Sequence, residues 1–250
     1  MSDATGSAAG RSQPRNALLL GPGLVLFAIL LGLGTWQVQR LHWKEGLLET
    51  IDRRTHAAPL PLADVEKEFA ATHDVDYTPV MVTGAFLHRG ERHFFSTWEG
   101  DAGFNVYTPL HLDDGRFVLV NRGFVPYDRK DPGTRGEGQV SGVVAVTGLA
   151  RNPLAEKPSM LVPDNEPDKN IFYWKDRDVM ASSAGLDTTR LVAFFIDADK
   201  TPNPGGLPVG GVTIVDLPNN HLQYAVTWYG LAAALAAVLI LRLRRPAKEG

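Results

Sequence analysis

Cysteine is absent from all 250 residues. That excludes a disulfide framework, covalent c-type haem attachment and any thiolate copper or zinc site. A bias toward one sign of charge is also missing: 25 basic and 28 acidic side chains leave a formal net charge of -3, which gives no electrostatic footprint for nucleic acid. Gly-x-x-x-x-Gly-Lys, Gly-x-Ser-x-Gly and His-Glu-x-x-His do not occur, so the familiar phosphate-binding, esterase and metalloprotease signatures are excluded. No internal repeat is present.

What is there is an uneven distribution of apolar residues. Two dozen uncharged residues separate Arg15 from Arg40, and twenty separate His221 from Arg242. Each run is long enough to cross a hydrocarbon core of about 30 Å as a helix. The expectation is an α+β membrane protein in which two transmembrane helices flank one mainly-β extracytoplasmic domain with a few short helices. Its bounds are a tail at 1–16, a first span at 17–38, the outer domain at 39–220, a second span at 221–242 and a tail at 243–250. The first run exceeds a signal-peptide core and is followed by no small-residue cleavage site, so it reads as an uncleaved anchor. The leading residues carry an acidic group and only two arginines, which suits a bacterial cell membrane better than an organellar transit peptide. Arg11, Arg15, Arg242, Arg244, Arg245 and Lys248 outweigh Arg40, Lys44, Arg53 and Arg54, favouring cytoplasmic termini and a periplasmic domain.

Between the spans the period changes. Trp43, Leu47 and Ile51 continue at helical spacing, with Leu48 beside them, and a short helix follows with Asp64 as its cap and Val65 and Phe69 on one face. From Tyr77 the pattern alternates: "YTPVMVTGAFL" and "ERHFFSTW" read as strands joined through a turn at Arg89-Gly90, followed by "FNVYTPLHL". Asp114-Gly115 marks a tight hairpin before "RFVLVNRGFVP", and "VSGVVAVTGLAR" and "RLVAFFIDA" add strands around a helix near 176–185. These elements predict a curved sheet or partial barrel.

Two places carry candidate chemistry. "HRGERH" sets His88, Glu91 and His93 close together, either as a metal-binding hairpin tip or as a polar, solvent-exposed one. His42, His56, His73 and His111 lack ligand spacing and read as surface residues. His221 stands at the start of the second apolar run and shares a helix face with Tyr224, Ala225 and Trp228. An imidazole at that address suits an axial ligand to haem iron, with Trp36 and Arg40 lining the same pocket and Arg40 and Lys44 facing the propionates. The other reading is an aromatic belt of Trp36, Trp43, Tyr224, Trp228 and Tyr229 with His221 as a polar cap. Gly230/Ala234, Ala233/Ala237 and the Gly32, Gly34 pair offer small residues for packing of the two spans.

"LGLGTWQVQRLHWKEGLL", "YTPVMVTGAF", "VLVNRGFVP" and "NNHLQYAVTWYGLA", in that order along nearly the whole chain, resemble the surfeit locus protein 1 family of cytochrome c oxidase assembly factors. The resemblance implies an assembly factor, not an enzyme, that assists insertion of haem a into the catalytic subunit of the oxidase. Trp36, Gln37 and Arg40 match the family's first-span motif, Asn121, Arg122 and Gly123 its outer-domain motif, and His221 its "N-x-H-x-x-Y-A" histidine. Phe124 stands where the family usually has tryptophan. His221 is then the axial ligand, and Tyr224, Trp228, Trp36 and Arg40 are the remaining candidate haem contacts. Haem a is held transiently, no free metal is expected, and the implied partners are the oxidase catalytic subunit, haem a synthase and membrane lipid.

Two further readings stand beside this one. The protein could be a membrane-anchored scaffold that stabilises an oxidase intermediate without touching haem. It could also be an anchored hydrolase drawing on Asp113, Asp114, Asp197, Asp199 and the histidines, though nothing in the sequence places a base beside a nucleophile.

Overall fold

The computed structural model describes residues 15–213 and 219–244, with side chains from residue 20 onward. The expected tails at 1–16 and 243–250 lie almost wholly outside the described residues. In chain order the elements are α1 (Arg15–Thr55), β1 (Leu60–Pro61), α2 (Leu62–Thr72), β2 (Pro79–Phe86), β3 (Arg92–Trp98) and β4 (Asp101–His111). Then come β5 (Phe117–Pro126), β6 (Val143–Arg151), α3 (Arg177–Ser183), β7 (Phe195–Ala198) and α4 (His221–Arg244). Contacts divide the chain into two units, Met1–Glu49 with Asp216–Gly250, and Thr50–Val215.

The first unit is an antiparallel helix pair. Both α1 and α4 are long and apolar enough to cross a membrane, and the chain is a two-span membrane protein of the α+β class. One row of residues withdrawn from the surface runs along α1 through Leu20, Gly23, Phe27, Leu30, Gly34, Gln37 and Leu41, and one along α4 through His221, Ala225, Trp228, Ala232, Leu235 and Leu239. Steps of three and four alternate on both helices, the seven-residue period of a left-handed helix pair. Gly23 faces Leu239 and Gly34 faces Tyr229, where an added Cβ would stand 2.8 Å from Cε1. Thr35 Oγ1 lies 3.1 Å from the Tyr229 hydroxyl. The small residues at the seam are therefore Gly23, Gly34, Ala225 and Ala232. The expected Gly230/Ala234 and Ala233/Ala237 pairs are exposed and Gly32 faces open space, because the seven-residue step, not every i,i+4 pair of small residues, chooses the contact face.

The second unit is a small barrel. Its sheet runs β1-β2-β6-β7-β5-β4-β3, and an additional pairing of Ala85 with His111 and Phe86 with Leu110 joins β2 to β4. The circuit β2-β6-β7-β5-β4 is thereby closed, which removes most of the sheet edge. Val65 of α2 packs with Val80, Val82, Leu110, Val118, Val120, Val146 and Ile196 in the main apolar cluster. Phe172 and Met180 cover a second cluster around Tyr107, Leu119 and Phe195. This covering on both sides is why β5 is buried from Val118 to Val125 without alternation.

Three local expectations change. "YTPVMVTGAFL" and "ERHFFSTW" do become strands, but they do not pair with each other: the Arg89-Gly90 turn is a single 3₁₀ turn, and β3 pairs with β4. The tight hairpin sits at Glu99-Gly100, where φ is +51° and +94° as a type I′ turn demands. At Asp114-Gly115 a hairpin also forms, but only Gly115 has positive φ, and the Asp114 carboxylate accepts the Arg116 N–H at 2.9 Å. Asp64 is not the cap of α2: Pro61 holds that position, and Asp64 takes Lys67 Nζ at 2.8 Å.

The "NRG" segment is the joint between β5 and β7. Asn121 lies opposite Asp197 in the parallel β5–β7 register, donates Nδ2 to Asp197 Oδ1 at 3.0 Å and accepts the Gly123 N–H at 3.1 Å. Gly123 has φ +120°, and a Cβ there would collide with the Val209 carbonyl, which accepts the Phe124 N–H at 2.9 Å. Gly123→Ala is therefore expected to destabilise the domain by about 3 kcal/mol or more, from backbone strain plus the clash. A denaturation midpoint unchanged from wild type would refute this account of the joint.

Candidate functional site

Of the groups singled out by sequence, His221 has the most defined surroundings. It is the first residue of α4, half-buried on the seam, and its Nδ1 lies 2.7 Å from Gln37 Oε1 of α1. A carboxamide oxygen can only accept, so this contact has the ring proton on Nδ1, and in the neutral tautomer so fixed the lone pair is on Nε2. Among the described residues Nε2 has no hydrogen-bond partner. This is the arrangement by which metal-binding histidines are oriented: one ring nitrogen is fixed by a protein acceptor and the other is offered to the metal. The donor set thus fits one axial bond to haem iron.

The other expected contacts divide. Trp228 shares the seam with His221 and is half-buried. Tyr224 is 54% exposed and Trp36 52% exposed, both off the seam. Arg40 is exposed and stacks on Trp43, with Cζ 4.4 Å from the ring centroid, so its partner at this end of the helix is Trp43 and not Trp36. Gln37 is the residue that the reading of His221 left out, although it belongs to the quoted first-span motif. Its signal is its position: it falls on the seven-residue seam, whereas Gln39 two residues later is exposed.

"HRGERH" does not converge. His88 Nε2 lies 2.7 Å from the Val140 carbonyl oxygen, while Glu91 and His93 are buried elsewhere with Arg135. His93 Nε2 is 3.0 Å from Glu91 Oε1, and Arg135 reaches Glu91 with both terminal nitrogens, Nη1 to Oε2 at 3.2 Å. Arg135 also donates to the carbonyls of Arg129 and Lys130. The expected solvent-exposed tip is in fact a buried ion cluster that fastens the 127–139 segment to β3. Among the described residues no group of three or more His, Cys, Asp or Glu is placed to hold a metal. His42, His56, His73 and His111 are exposed, as expected.

Three of the four aspartates of the hydrolase reading are engaged structurally, and Asp113 is exposed. Asp114 binds Arg116 at 2.7 Å, Asp199 accepts the Thr201 N–H at 2.9 Å, and Asp197 takes Asn121, Thr213 and Arg151. None has a nucleophile and base arranged around it.

Comparison with known proteins agrees with this architecture. The chain is 40% identical over 228 residues to Surfeit locus protein 1 of Rattus norvegicus, covering 84% of this chain and 71% of that one. It is 40% identical over 221 residues to Surfeit locus protein 1 of Homo sapiens, covering 81% and 70%. It is 36% identical over 256 residues to the SURF1-like protein of Monosiga brevicollis, covering 97% and 94%. The model of the SURF1 family matches residues 24–233, from within the first span, through the barrel, to within the second. The chain belongs to the SURF1 family.

Proposed function

We propose that this protein is a non-enzymatic assembly factor for haem-copper cytochrome c oxidase, and that its helix pair carries haem a as cargo for the catalytic subunit. The observation that supports the reading is the Gln37–His221 contact, which engages Nδ1 and leaves Nε2 as the ring nitrogen for a metal at the end of an apolar helix. Haem a supplies an iron that accepts one such nitrogen and a ring that the apolar zone solvates. His221 provides the bond. Gln37 holds its tautomer and orientation. Tyr224, Trp36 and Trp228 supply aromatic surface near it, and Arg40 with Lys44 supply cations for the propionates. A single axial bond suits a carrier that must give its cargo up. Placement in a bacterial cell membrane, with cytoplasmic termini and contact to haem a synthase, completes the reading.

The test is made in cells that synthesise haem a. Wild-type protein is expected to copurify with a Soret-absorbing species, and His221→Ala to be recovered in equal amount without it. Colourless wild type that still brings down oxidase subunits would replace the carrier reading with the scaffold.

A further inference from the structure

Arg122 is among the largest fully buried side chains, 1% exposed, and it has no carboxylate partner among the described residues. Its Nη2 donates to the Gly138 carbonyl and to Asn203 Oδ1 at 3.0 Å, and its guanidinium lies 4.7 Å from the centroid of Phe86. Nε and Nη1 are buried with no acceptor. Burial pushes its pKa down to about 10, so it remains a cation at neutral pH. Glu91 acts on it only at longer range, and Arg135, which already pairs with Glu91, opposes it. A buried guanidinium with three N–H bonds unmet is an arrangement that native interiors avoid unless something completes it.

Arg122 also lines a cavity of about 200 Å³ together with Phe86, Val144, Val146, Thr147 and Asn203. The cavity is smaller than the roughly 300–1,000 Å³ typical of sites for whole cofactors or drug-sized molecules. It fits an end group.

We propose that this cavity binds a carboxylate carried on a short aliphatic stem. A carboxylate oxygen can accept a single charge-assisted N–H bond from Nη1 or Nε, since Nη2 is already used, and the valines and Phe86 suit the stem. Asp199 shares the lining, and its charge disfavours a dianion such as phosphate. The carboxylate can come from a free short-chain acid or from a polypeptide, as a chain terminus or an acidic side chain. The site lies wholly in the barrel and does not depend on the haem reading.

The test uses full-length protein in detergent at neutral pH, with butyrate, butyramide, phosphate, and a short peptide ending in valine with a free or an amidated C-terminus. Thermal denaturation and calorimetry are expected to show saturable binding of butyrate or of the free-carboxylate peptide, with neither amide binding and phosphate weaker. The tighter of the two identifies the source. Arg122→Met is expected to abolish binding. Because that variant alters a buried group, Ala145→Trp serves as the second: Ala145 is exposed at the cavity lining, and its replacement is expected to raise the dissociation constant at least tenfold while leaving the guanidinium intact. Absence of saturable binding by both carboxylates, or equal binding to wild type and Ala145→Trp, overturns the proposal.

Discussion

Glu91→Ala is expected to destabilise the barrel domain by about 3–5 kcal/mol, because it leaves the Arg135 guanidinium buried without its counter-ion. His93 would lose its Nε2 partner in the same step, and the 127–139 segment would lose its anchor to β3. Replacing both charges removes the penalty: Glu91→Leu with Arg135→Met is expected to lie much closer to wild type than Glu91→Ala, since breaking a buried pair is worse than deleting it. The denaturant midpoint of the three proteins, followed by near-ultraviolet circular dichroism, measures this. Equal losses in the single and double variants would contradict a coupled pair.

The same cluster sets a pH dependence. Burial pushes the Glu91 carboxyl up, but hydrogen bonds from His93 and Arg135 outweigh it and hold the group below the ordinary carboxylate range. A carboxyl depressed in the folded state contributes stability above its unfolded pKa, about 4.3, and loses it as pH falls through the folded value. Wild type is therefore expected to lose stability below about pH 4.3 more steeply than the double variant. Parallel acid profiles would show that another carboxylate governs the transition.

Gln37→Leu is expected to weaken haem binding about 10- to 100-fold while leaving the helix pair formed, because a metal-bound histidine depends on the acceptor that fixes its other nitrogen. Leucine matches the volume and suits the seam, so a packing loss is a poor explanation for such a result. Gln37→Glu keeps an acceptor at the same place and is expected to bind nearer to wild type than leucine does. If leucine binds haem as tightly as glutamine, His221 is not oriented by Gln37.

The sequence made the spans, the strand positions and the place of His221 at the head of the second span legible for definite reasons. Uncharged runs of membrane length leave few alternatives, and Tyr77 to Leu87 alternates too regularly to be helix. What it hid were long-range relations. Closure of the barrel rests on Phe86 meeting Leu110, which no local period encodes. The Glu91–Arg135 pair spans 44 residues, so "HRGERH" looked like a surface cluster until its counter-ion came from another segment. Gln37 was quoted within a motif, yet its partner lies 184 residues away, and only the seven-residue seam on each helix brings the two together. Local turn chemistry placed the hairpin at Asp114-Gly115, where one positive φ sufficed, but not the one at Glu99-Gly100, which has two.

The central claim is that His221 Nε2 binds haem iron. An absorbance titration of purified protein in detergent with haem a, wild type beside His221→Ala at equal concentration, tests it directly. Wild type is expected to saturate at one haem per chain with a shifted Soret band, and His221→Ala to show only the spectrum of haem in detergent. Saturation of His221→Ala with the same band position and the same affinity would contradict the claim.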